Sequence, residues 1–406
     1  MRINIVSPSF VGYRGHEIFA GGQVLLWELT KLLADHGHNV TVIQWGDEDR
    51  EFDFHHTHIR QIRVPEPEWL VKAGITRLFQ TYGFFWKGHL DRDADLVHLH
   101  YYNNAFPFAT DDMTGMCHGI DWDCPNPKLS WGPRALRDRF HLSTMKAIAR
   151  FGIRRLKRIA ANDLFFLKYV QSEMPQYRDK IWHIPNFVDL DLFNGRIHPA
   201  TDLVDRFRDS FKVLVPKFVM HQRGQHLAIQ ALSRLNGEDV VLLLAGDPPT
   251  GRDRTYYDRL IEEHARPGQV IYLGHRDHFK EMPAIHRAAD VVLVPSHCRE
   301  ATALSLLEGM ASEKAVIVTN VGGLPDAVID GHNGLICPPT PDGVANALLR
   351  LIHDARLRAA LAKEAASWVA RFYAKEIWQR KWLEFLGLEL QAVQRTPLAG
   401  NVSCAG

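Results

Sequence analysis

Short apolar runs alternate with helical patterns along this chain, and the alternation is present in two separate halves. In the first half, apolar runs at residues 3–6 and 40–43 flank a helical pattern at residues 23–36. In the second half, the same pattern begins again at residues 211–215 and continues through residues 240–245. Strands separated by helices form parallel sheets with helices on both faces. The sequence therefore predicts an α/β fold with two Rossmann-like, doubly wound parallel sheets.

The remaining strands and the limits of the domains follow from the same pattern. Apolar runs predict further strands at residues 95–100, 161–167, 270–273, 291–294 and 315–318. A chain of 406 residues exceeds what one hydrophobic core usually supports. We therefore expect a first domain at residues 1–190, a second at 191–366, a helical segment at 367–393 and a flexible tail at 394–406.

Charge and hydropathy exclude several classes of protein. The 48 Lys and Arg residues nearly balance the 47 Asp and Glu residues, so no net field attracts nucleic acid. No apolar stretch approaches the roughly 20 residues of a membrane span. The first residues form a strand pattern rather than a signal sequence. We therefore expect a cytoplasmic protein without a nucleic-acid partner.

Cysteine and histidine spacing predicts no metal site. The five cysteines lack C-x-x-C pairs, which argues against a disulfide framework and against a zinc site. His98 and His100 alternate along a predicted strand, whereas His55, His56 and His58 are not completed by a cluster of carboxylates or cysteines. We therefore expect neither a bound metal nor a cofactor.

Two glutamates follow the predicted strand at residues 291–294. Glu300 precedes an apolar helical pattern and Glu308 lies inside it, with seven residues between them. Both carboxylates therefore lie at the carboxyl edge of a parallel sheet, where α/β folds bind ligands. Amides at the start of a helix lack intrahelical partners and attract phosphate, and here they belong to Thr302, Ala303 and Leu304. This arrangement suits a ligand with hydroxyl groups at both ends and a diphosphate between them.

Glycines and cations follow other predicted strands at the same edge. Gly21 and Gly22 precede the first helix and permit a phosphate to approach the backbone closely. Lys217 and Arg223 follow the first strand of the second half and project toward the cleft between the domains. His118 follows the strands of the first half and faces the same cleft. Two cations at this position suit a departing diphosphate.

These features, taken in their order along the chain, resemble the retaining GT-B glycosyltransferases of glycosyltransferase family 4. Glu300 and Glu308 are similar to the E-x7-E signature of that family. Further landmarks are Gly21-Gly22, His118-Gly119 and the segments Ile184-Pro-Asn-Phe-Val-Asp189 and Val321-Gly-Gly-Leu-Pro-Asp326. The resemblance covers nearly all 406 residues and implies a C-terminal helix that crosses back onto the first domain.

The resemblance also implies a role for each candidate residue. Glu308 accepts hydrogen bonds from the ribose, and Glu300 accepts them from the transferred sugar. His118 contacts that sugar near the reacting centre, where its imidazole donates to a hydroxyl. The implied catalytic residues are His118, Lys217, Arg223 and Glu300. The implied donor-binding residues are Gly21, Gly22, Lys217, Arg223, Thr302, Ala303, Leu304 and Glu308.

The implied reaction moves a sugar, with retention and without a metal, from a nucleoside-diphosphate donor to a hydroxyl of a small-molecule, saccharide or lipid-linked acceptor. The family usually has Gly-Arg and then Lys-Gly, whereas this chain has Pro216-Lys217 and Arg223-Gly224. The family also continues the first Glu with Phe-Gly, where this chain has Ala301-Thr302-Ala303. A sugar-nucleotide epimerase of the same fold and a non-enzymatic sugar-nucleotide-binding protein are therefore alternatives.

The segment at residues 134–158 is strongly basic. It has nine Lys or Arg residues against one acidic residue, Asp138, and Lys146, Arg150, Arg154 and Arg158 follow helical i+4 spacing. A solvated helix face accounts for such a pattern. Weak peripheral contact with an anionic membrane or acceptor, through the segment from Arg134 to Arg158, is the alternative.

Overall fold

The computed structural model describes residues 1–12, 21–63, 86–120, 122, 133–235, 237–298 and 300–388, and gives only the backbone for residues 133–138, 141 and 252. These residues form two sheets with helices packed against them. Among them, no helix combines the length and the apolar character that a membrane crossing requires.

The first sheet has eight strands in the order β3-β4-β2-β1-β5-β6-β7-β8. All neighbouring strands are parallel except β3 and β4, which form an antiparallel edge pair. The strands are β1 (Arg2–Val6), β2 (Asn39–Gly46), β3 (Arg50–Phe54), β4 (Thr57–Arg63), β5 (Leu96–Leu99), β6 (Thr114–Cys117), β7 (Arg158–Ala161) and β8 (Ile181–His183).

The second sheet has six parallel strands in the order β11-β10-β9-β12-β13-β14. These are β9 (Phe211–Val215), β10 (Val240–Ala245), β11 (Val270–Gly274), β12 (Val291–Val294), β13 (Ala315–Thr319) and β14 (Leu335–Cys337). The strands β10, β12 and β13 are buried along their whole length, because helices cover both faces. The predicted pair of doubly wound parallel sheets is confirmed.

The described helices connect these strands in chain order. They are α1 (Gly21–Asp35), α2 (Pro133–Arg155), α3 (Leu164–Glu173), α4 (Thr201–Arg206), α5 (Gln225–Leu232), α6 (Gly251–His264), α7 (Met282–Ala288), α8 (Leu304–Ala311), α9 (Pro341–His353), α10 (Ala355–Phe372) and α11 (Lys375–Leu386). In the second sheet, β9 has β10 on one side and β12 on the other, so the strand order reverses there. Ligands of open α/β sheets bind at such a reversal.

The C-terminal helices join the two domains. The α10 helix packs on the second domain, and the chain then pairs with the first domain through a bridge between Val188 and Ala374. The α11 helix buries Trp378 and Trp382 in the core of the first domain beside α1. The predicted crossing of the C-terminal segment is therefore confirmed. Phe372 at the end of α10 is 40% exposed.

Two sequence-based expectations are wrong. Residues 161–167 do not form one strand, because β7 ends at Ala161 and α3 begins at Leu164. The Asp163 carboxylate accepts a hydrogen bond from the Phe166 amide, and this N-cap starts a helix within the apolar run. Cys298 is disulfide-bonded, although the cysteine spacing argued against disulfides. The domain limits stay predictions, and the tail predicted at 394–406 lies outside the described residues.

Candidate functional site

A cleft of about 500 Å³ lies between the two domains and gathers most of the predicted site residues. Its walls come from the carboxyl ends of strands in both sheets, as expected for ligand sites of this fold. The lining includes Gly21, Gly22, His118, Lys217, Arg223, Glu300, Thr302, Ala303, Leu304 and Glu308. Every residue predicted for catalysis or donor binding therefore borders one cavity.

Glu300 is the centre of an ionic cluster in this cleft. Its Oε1 lies 2.9 Å from the Lys217 Nζ, and its Oε2 lies 2.6 Å from an Arg223 guanidinium nitrogen. The Ser296 hydroxyl also donates to Oε2 at 2.7 Å. Burial alone would raise the pKa of Glu300, but the charges of Arg223 and Lys217 lower this pKa to about 2. Glu300 is thus an ionised hydrogen-bond acceptor.

Glycines hold the backbone around this cluster. Gly322 has a φ of +56°, and a Cβ there would lie 2.1 Å from the Glu300 carbonyl oxygen. The Gly323 amide donates to that same oxygen at 2.6 Å. Gly224 has a φ of +75°, and its Cβ would lie 1.8 Å from the Pro295 carbonyl oxygen. Only glycine fits these two left-handed positions, which bring the loops that contain Arg223 and Gly322 against the loop that carries Glu300.

Glu308 lies in the second turn of α8, and its electrostatic environment is opposite to that of Glu300. Burial raises the pKa of Glu308 to about 8, against the effect of Lys217. The Nδ1 of His278 and the Nε2 of His286 each lie 3.8 Å from a Glu308 carboxylate oxygen. Burial lowers the pKa of both histidines to about 4, so the rings are neutral at pH 7. Hydroxyl groups that donate hydrogen bonds to this buried carboxylate would stabilise its ionised form and lower its pKa.

The start of α8 faces the cleft, and Thr302 fixes it to the first domain. The helix begins at Leu304, with Ala303 as an extended N-cap residue. The buried Thr302 hydroxyl donates to the Asn162 carbonyl oxygen at 2.8 Å, and the Asn186 side chain donates to the Thr302 carbonyl oxygen. The first amides of α8 are therefore held at the cleft, where a phosphate can meet them.

Gly21 and Gly22 form the first turn of α1 rather than a loop before it. A Cβ at Gly21 would lie 3.2 Å from the Leu304 side chain of the second domain, and one at Gly22 would lie 2.9 Å from the Tyr101 hydroxyl. The Gly22 carbonyl oxygen accepts a hydrogen bond from the His100 Nε2 at 2.9 Å. Side chains larger than hydrogen would therefore crowd the cleft at both positions.

His118 lies at the end of β6 against the aromatic side chains of the first domain. Its Nε2 lies 2.9 Å from the His100 carbonyl oxygen, which can only accept, so Nε2 carries the proton. Burial lowers the pKa of His118 to about 4, which leaves the ring neutral. The Nδ1 atom of this neutral ring is therefore a hydrogen-bond acceptor and not a donor.

Models of known families match both halves of the chain. The one described as "Glycosyltransferase Family 4" matches residues 19–192, and the one described as "Glycosyl transferases group 1" matches residues 205–368. The two matches together include every strand except β1 and all the residues that line the cleft described above. The chain belongs to glycosyltransferase family 4.

Curated relatives of this family 4 chain fall into two groups by coverage. The glycogen synthase of Mycobacterium tuberculosis is 34% identical over 154 residues, which are 36% of this chain and 35% of that protein. The N-acetyl-alpha-D-glucosaminyl L-malate synthase of Bacillus anthracis is 24% identical over 391 residues, which are 90% of this chain and 93% of that protein. The chain thus matches about a third of the first relative and nearly all of the second.

Solved structures establish the fold of the family 4 chain. Sucrose-phosphate synthase from Thermosynechococcus elongatus superposes with a TM-score of 0.73 at 20% sequence identity. The superposition covers 94% of this chain and 97% of the synthase. Two Rossmann-like domains that face each other across a cleft, with a C-terminal helix returning to the first, are the GT-B fold.

Several site residues were not predicted from the sequence. Ser296 is the second residue after β12, and its position at the sheet edge was a usable signal. His278 and His286 come from α7 and the segment before it, and no sequence pattern connects them with Glu308. Their proximity depends on how α7 packs beside α8.

The basic segment does not form the single helical row of cations that its spacing predicted. The α2 helix ends at Arg155, so Arg158 belongs to β7 and not to the helical row. The Arg158 guanidinium donates to the Phe385 carbonyl oxygen, and Arg150 pairs with Glu173. The Lys146 Nζ lies 5.8 Å from the Tyr169 ring centroid. Three of the four predicted stripe cations thus have structural partners, whereas Arg154 is exposed.

Proposed function

We propose that this protein transfers a sugar from a nucleoside-diphosphate-sugar donor to an acceptor hydroxyl, with retention and without a metal. The observation that carries the proposal is the cluster of Lys217, Arg223 and Glu300, which lies in the cleft between the domains. One carboxylate between two cations leaves net positive charge for a diphosphate. The start of α8 adds amide donors and a helix dipole to the same wall.

The three parts of the donor fit three parts of the cleft. Glu308 receives the two ribose hydroxyls, whose donation compensates the burial of its carboxylate. The diphosphate contacts Lys217, Arg223 and the first amides of α8. The sugar lies between Glu300 and His118, which present acceptors from the second and first domains. The acceptor approaches from the first domain beside Gly21 and Gly22.

In the proposed step, the bond between the anomeric carbon and the diphosphate oxygen breaks, and the acceptor oxygen bonds to the same face of that carbon. The acceptor proton passes to a diphosphate oxygen, and the nucleoside diphosphate leaves. Lys217 and Arg223 stabilise the charge that develops on the leaving group. Because Lys217, Arg223 and Ser296 engage the Glu300 oxygens, this carboxylate positions sugar hydroxyls and is not assigned the role of nucleophile.

The acceptor is proposed to be a small molecule or glycan. Two relatives are an N-acetyl-alpha-D-glucosaminyl L-malate synthase and a D-inositol 3-phosphate glycosyltransferase, and both L-malate and D-inositol 3-phosphate are small and soluble. The cleft is bounded on the acceptor side by Tyr101, Asn103 and His118, which offer hydrogen bonds to hydroxyl groups. A lipid-linked acceptor is the less favoured class, since three of the four predicted stripe cations are engaged within the protein.

A donor panel tests the proposal. Thermal-shift measurements first identify which nucleoside-diphosphate sugar stabilises the protein, since ligands bound to the folded state raise the midpoint. Turnover of that donor is then followed with and without acceptor mixtures. Consumption that requires an acceptor supports transfer. A changed sugar on an intact nucleotide would indicate an epimerase, and binding without turnover would indicate a binding protein; both results contradict the proposal.

A further inference from the structure

Three histidines meet beside the donor cleft, on two loops that follow adjacent strands. His221 lies in the turn after β9, His226 is the second residue of α5, and His297 lies in the loop after β12. Because β9 and β12 are parallel neighbours, their carboxyl ends place these loops side by side. One nitrogen from each ring lies within 4.8 Å of the other two.

The two loops are held together around this cluster. The Gln222 carbonyl oxygen accepts hydrogen bonds from the amides of His297 and Cys298, at 3.0 and 3.3 Å. The His221 and His226 rings stack with centroids 4.1 Å apart, and each lies within 5.4 Å of the His297 ring centroid. The geometry of the cluster is therefore fixed by backbone contacts on both sides.

Two ring nitrogens of this cluster are available as metal ligands. The Nδ1 atoms of His226 and His297 are buried without a hydrogen-bond partner. A buried imidazole nitrogen with no partner is costly unless something binds it.

We propose that His221, His226 and His297 bind one transition-metal ion of the zinc class. Neutral imidazole is a preferred ligand of Zn²⁺, and three histidines with an open fourth position are a known zinc geometry. Zinc–nitrogen bonds of about 2.0–2.1 Å place tetrahedral nitrogens roughly 3.3–3.4 Å apart. Side-chain rotations that draw the three rings together by about 1.4 Å complete the site. Water takes the fourth position, since Cys298 is disulfide-bonded.

The site ties the two donor-binding loops together. Arg223 lies between two of the ligands along the chain, and Glu300 follows the third. A bound ion therefore fixes the segment that presents Arg223 to Glu300 without touching the reacting sugar. Its role is structural, and it does not replace the cations proposed for the diphosphate.

Metal titration of the full chain, prepared without a histidine tag and freed of metal by chelator, tests the proposal. We expect one equivalent of Co²⁺ to give the visible absorption of a tetrahedral site and Zn²⁺ to displace it. His226→Ala should lower Zn²⁺ affinity at least about tenfold, since even losses outside the ligand set cost that much. His332→Ala is the matched control, because His332 is exposed and precedes β14 at the opposite edge of the sheet.

Two further readouts keep the test independent of folding defects and of transferase activity. Zn²⁺ should raise the thermal midpoint of the wild type and of His332→Ala but not of His226→Ala. It should also slow hydrogen exchange in residues 221–226 and 295–298. If circular dichroism shows that His226→Ala does not fold, His221→Ala replaces it in both measurements, because His221 is less buried. Equal Zn²⁺ affinity in all folded variants, or no saturable binding, would show that the three rings only pack together.

Discussion

The Lys217 ammonium lies 2.9 Å from the Glu300 carboxylate, at the position where a donor diphosphate is expected. The Glu300 carboxylate therefore neutralises part of the positive charge that is proposed to bind the diphosphate. Burial lowers the pKa of Lys217, whereas Glu300 counteracts that effect. In the proposed function, the donor diphosphate contacts Lys217 and Arg223 while the sugar hydroxyls donate to Glu300, so donor binding weakens the pairing between these three side chains.

The first prediction separates the two glutamates. Glu300→Ala should bind free nucleoside diphosphate at least as tightly as the wild type, because Lys217 and Arg223 lose a competing anion. Sugar transfer should fall by about 100-fold or more, since the sugar is no longer held in its reactive position. Glu308→Ala should weaken the binding of free nucleoside diphosphate by about tenfold or more, because hydrogen bonds to a charged acceptor are lost.

Calorimetry with nucleoside diphosphate and with the complete donor makes this comparison. His332→Ala is again a suitable control, because its side chain lies outside the cleft. An equal loss of nucleoside diphosphate affinity in the two glutamate variants would contradict the division of roles.

The second prediction concerns protons. The pKa of Glu308 is raised from 4.5 to about 8 in the free site, so its carboxyl is mostly protonated at pH 7. Ribose hydroxyls donate to the ionised form, so nucleotide binding should release a proton below pH 8. Affinity should rise by up to about tenfold per pH unit as pH increases toward 8, and then level off.

Titrations at pH 7 in buffers of different ionisation enthalpy measure this release. Glu308→Gln, which keeps the shape but cannot ionise, should remove the component of proton release that belongs to Glu308. Proton release that is the same in the wild type and in Glu308→Gln would contradict the assignment of Glu308 to the ribose.

Much of the fold and the identity of the cleft residues could be predicted from the sequence. The strands β9, β10 and β12 are continuous apolar runs, which is how buried parallel strands appear in a sequence. The run at residues 161–167 was misjudged, because short apolar runs look alike in strands and helices. The capping role of Asp163 was the signal that distinguishes them.

The contacts inside the site were beyond sequence reasoning. Lys217 and Arg223 were assigned to the diphosphate, but their convergence on Glu300 depends on side-chain placement across β9 and β12. The histidine cluster was missed for the same reason, since its members are separated by up to 76 positions in the chain. Strand order brings such residues together, and a single sequence does not state strand order.

The third prediction is that transfer continues in excess chelator. Lys217, Arg223 and the start of α8 supply the positive charge that metal-dependent transferases obtain from a divalent cation. Removal of a metal from the histidine cluster should lower the thermal midpoint and leave the turnover number largely unchanged. A rate that collapses with chelator and returns with Mn²⁺ would contradict the metal-independent mechanism.

The fourth prediction concerns the basic surface. Arg139, Arg154, Arg155 and Lys157 are the exposed cations among the side chains of the basic segment that the structure describes. We expect the wild type to stay in solution with anionic vesicles at physiological salt, because salt screens the long-range attraction between exposed cations and an anionic surface. Cosedimentation that is lost on reversing Arg154 and Lys157 to Glu would instead favour a membrane-borne acceptor.

The most direct test of the central claim is a proton NMR time course with the selected donor and an acceptor mixture. The proposal predicts that the anomeric signal of the donor disappears only when acceptor is present. Free nucleoside diphosphate and a product of the same anomeric configuration should appear at equal rates, and Glu300→Ala should slow both. A product of inverted configuration, or a new sugar signal with the nucleotide still attached, would contradict the proposed retaining transfer.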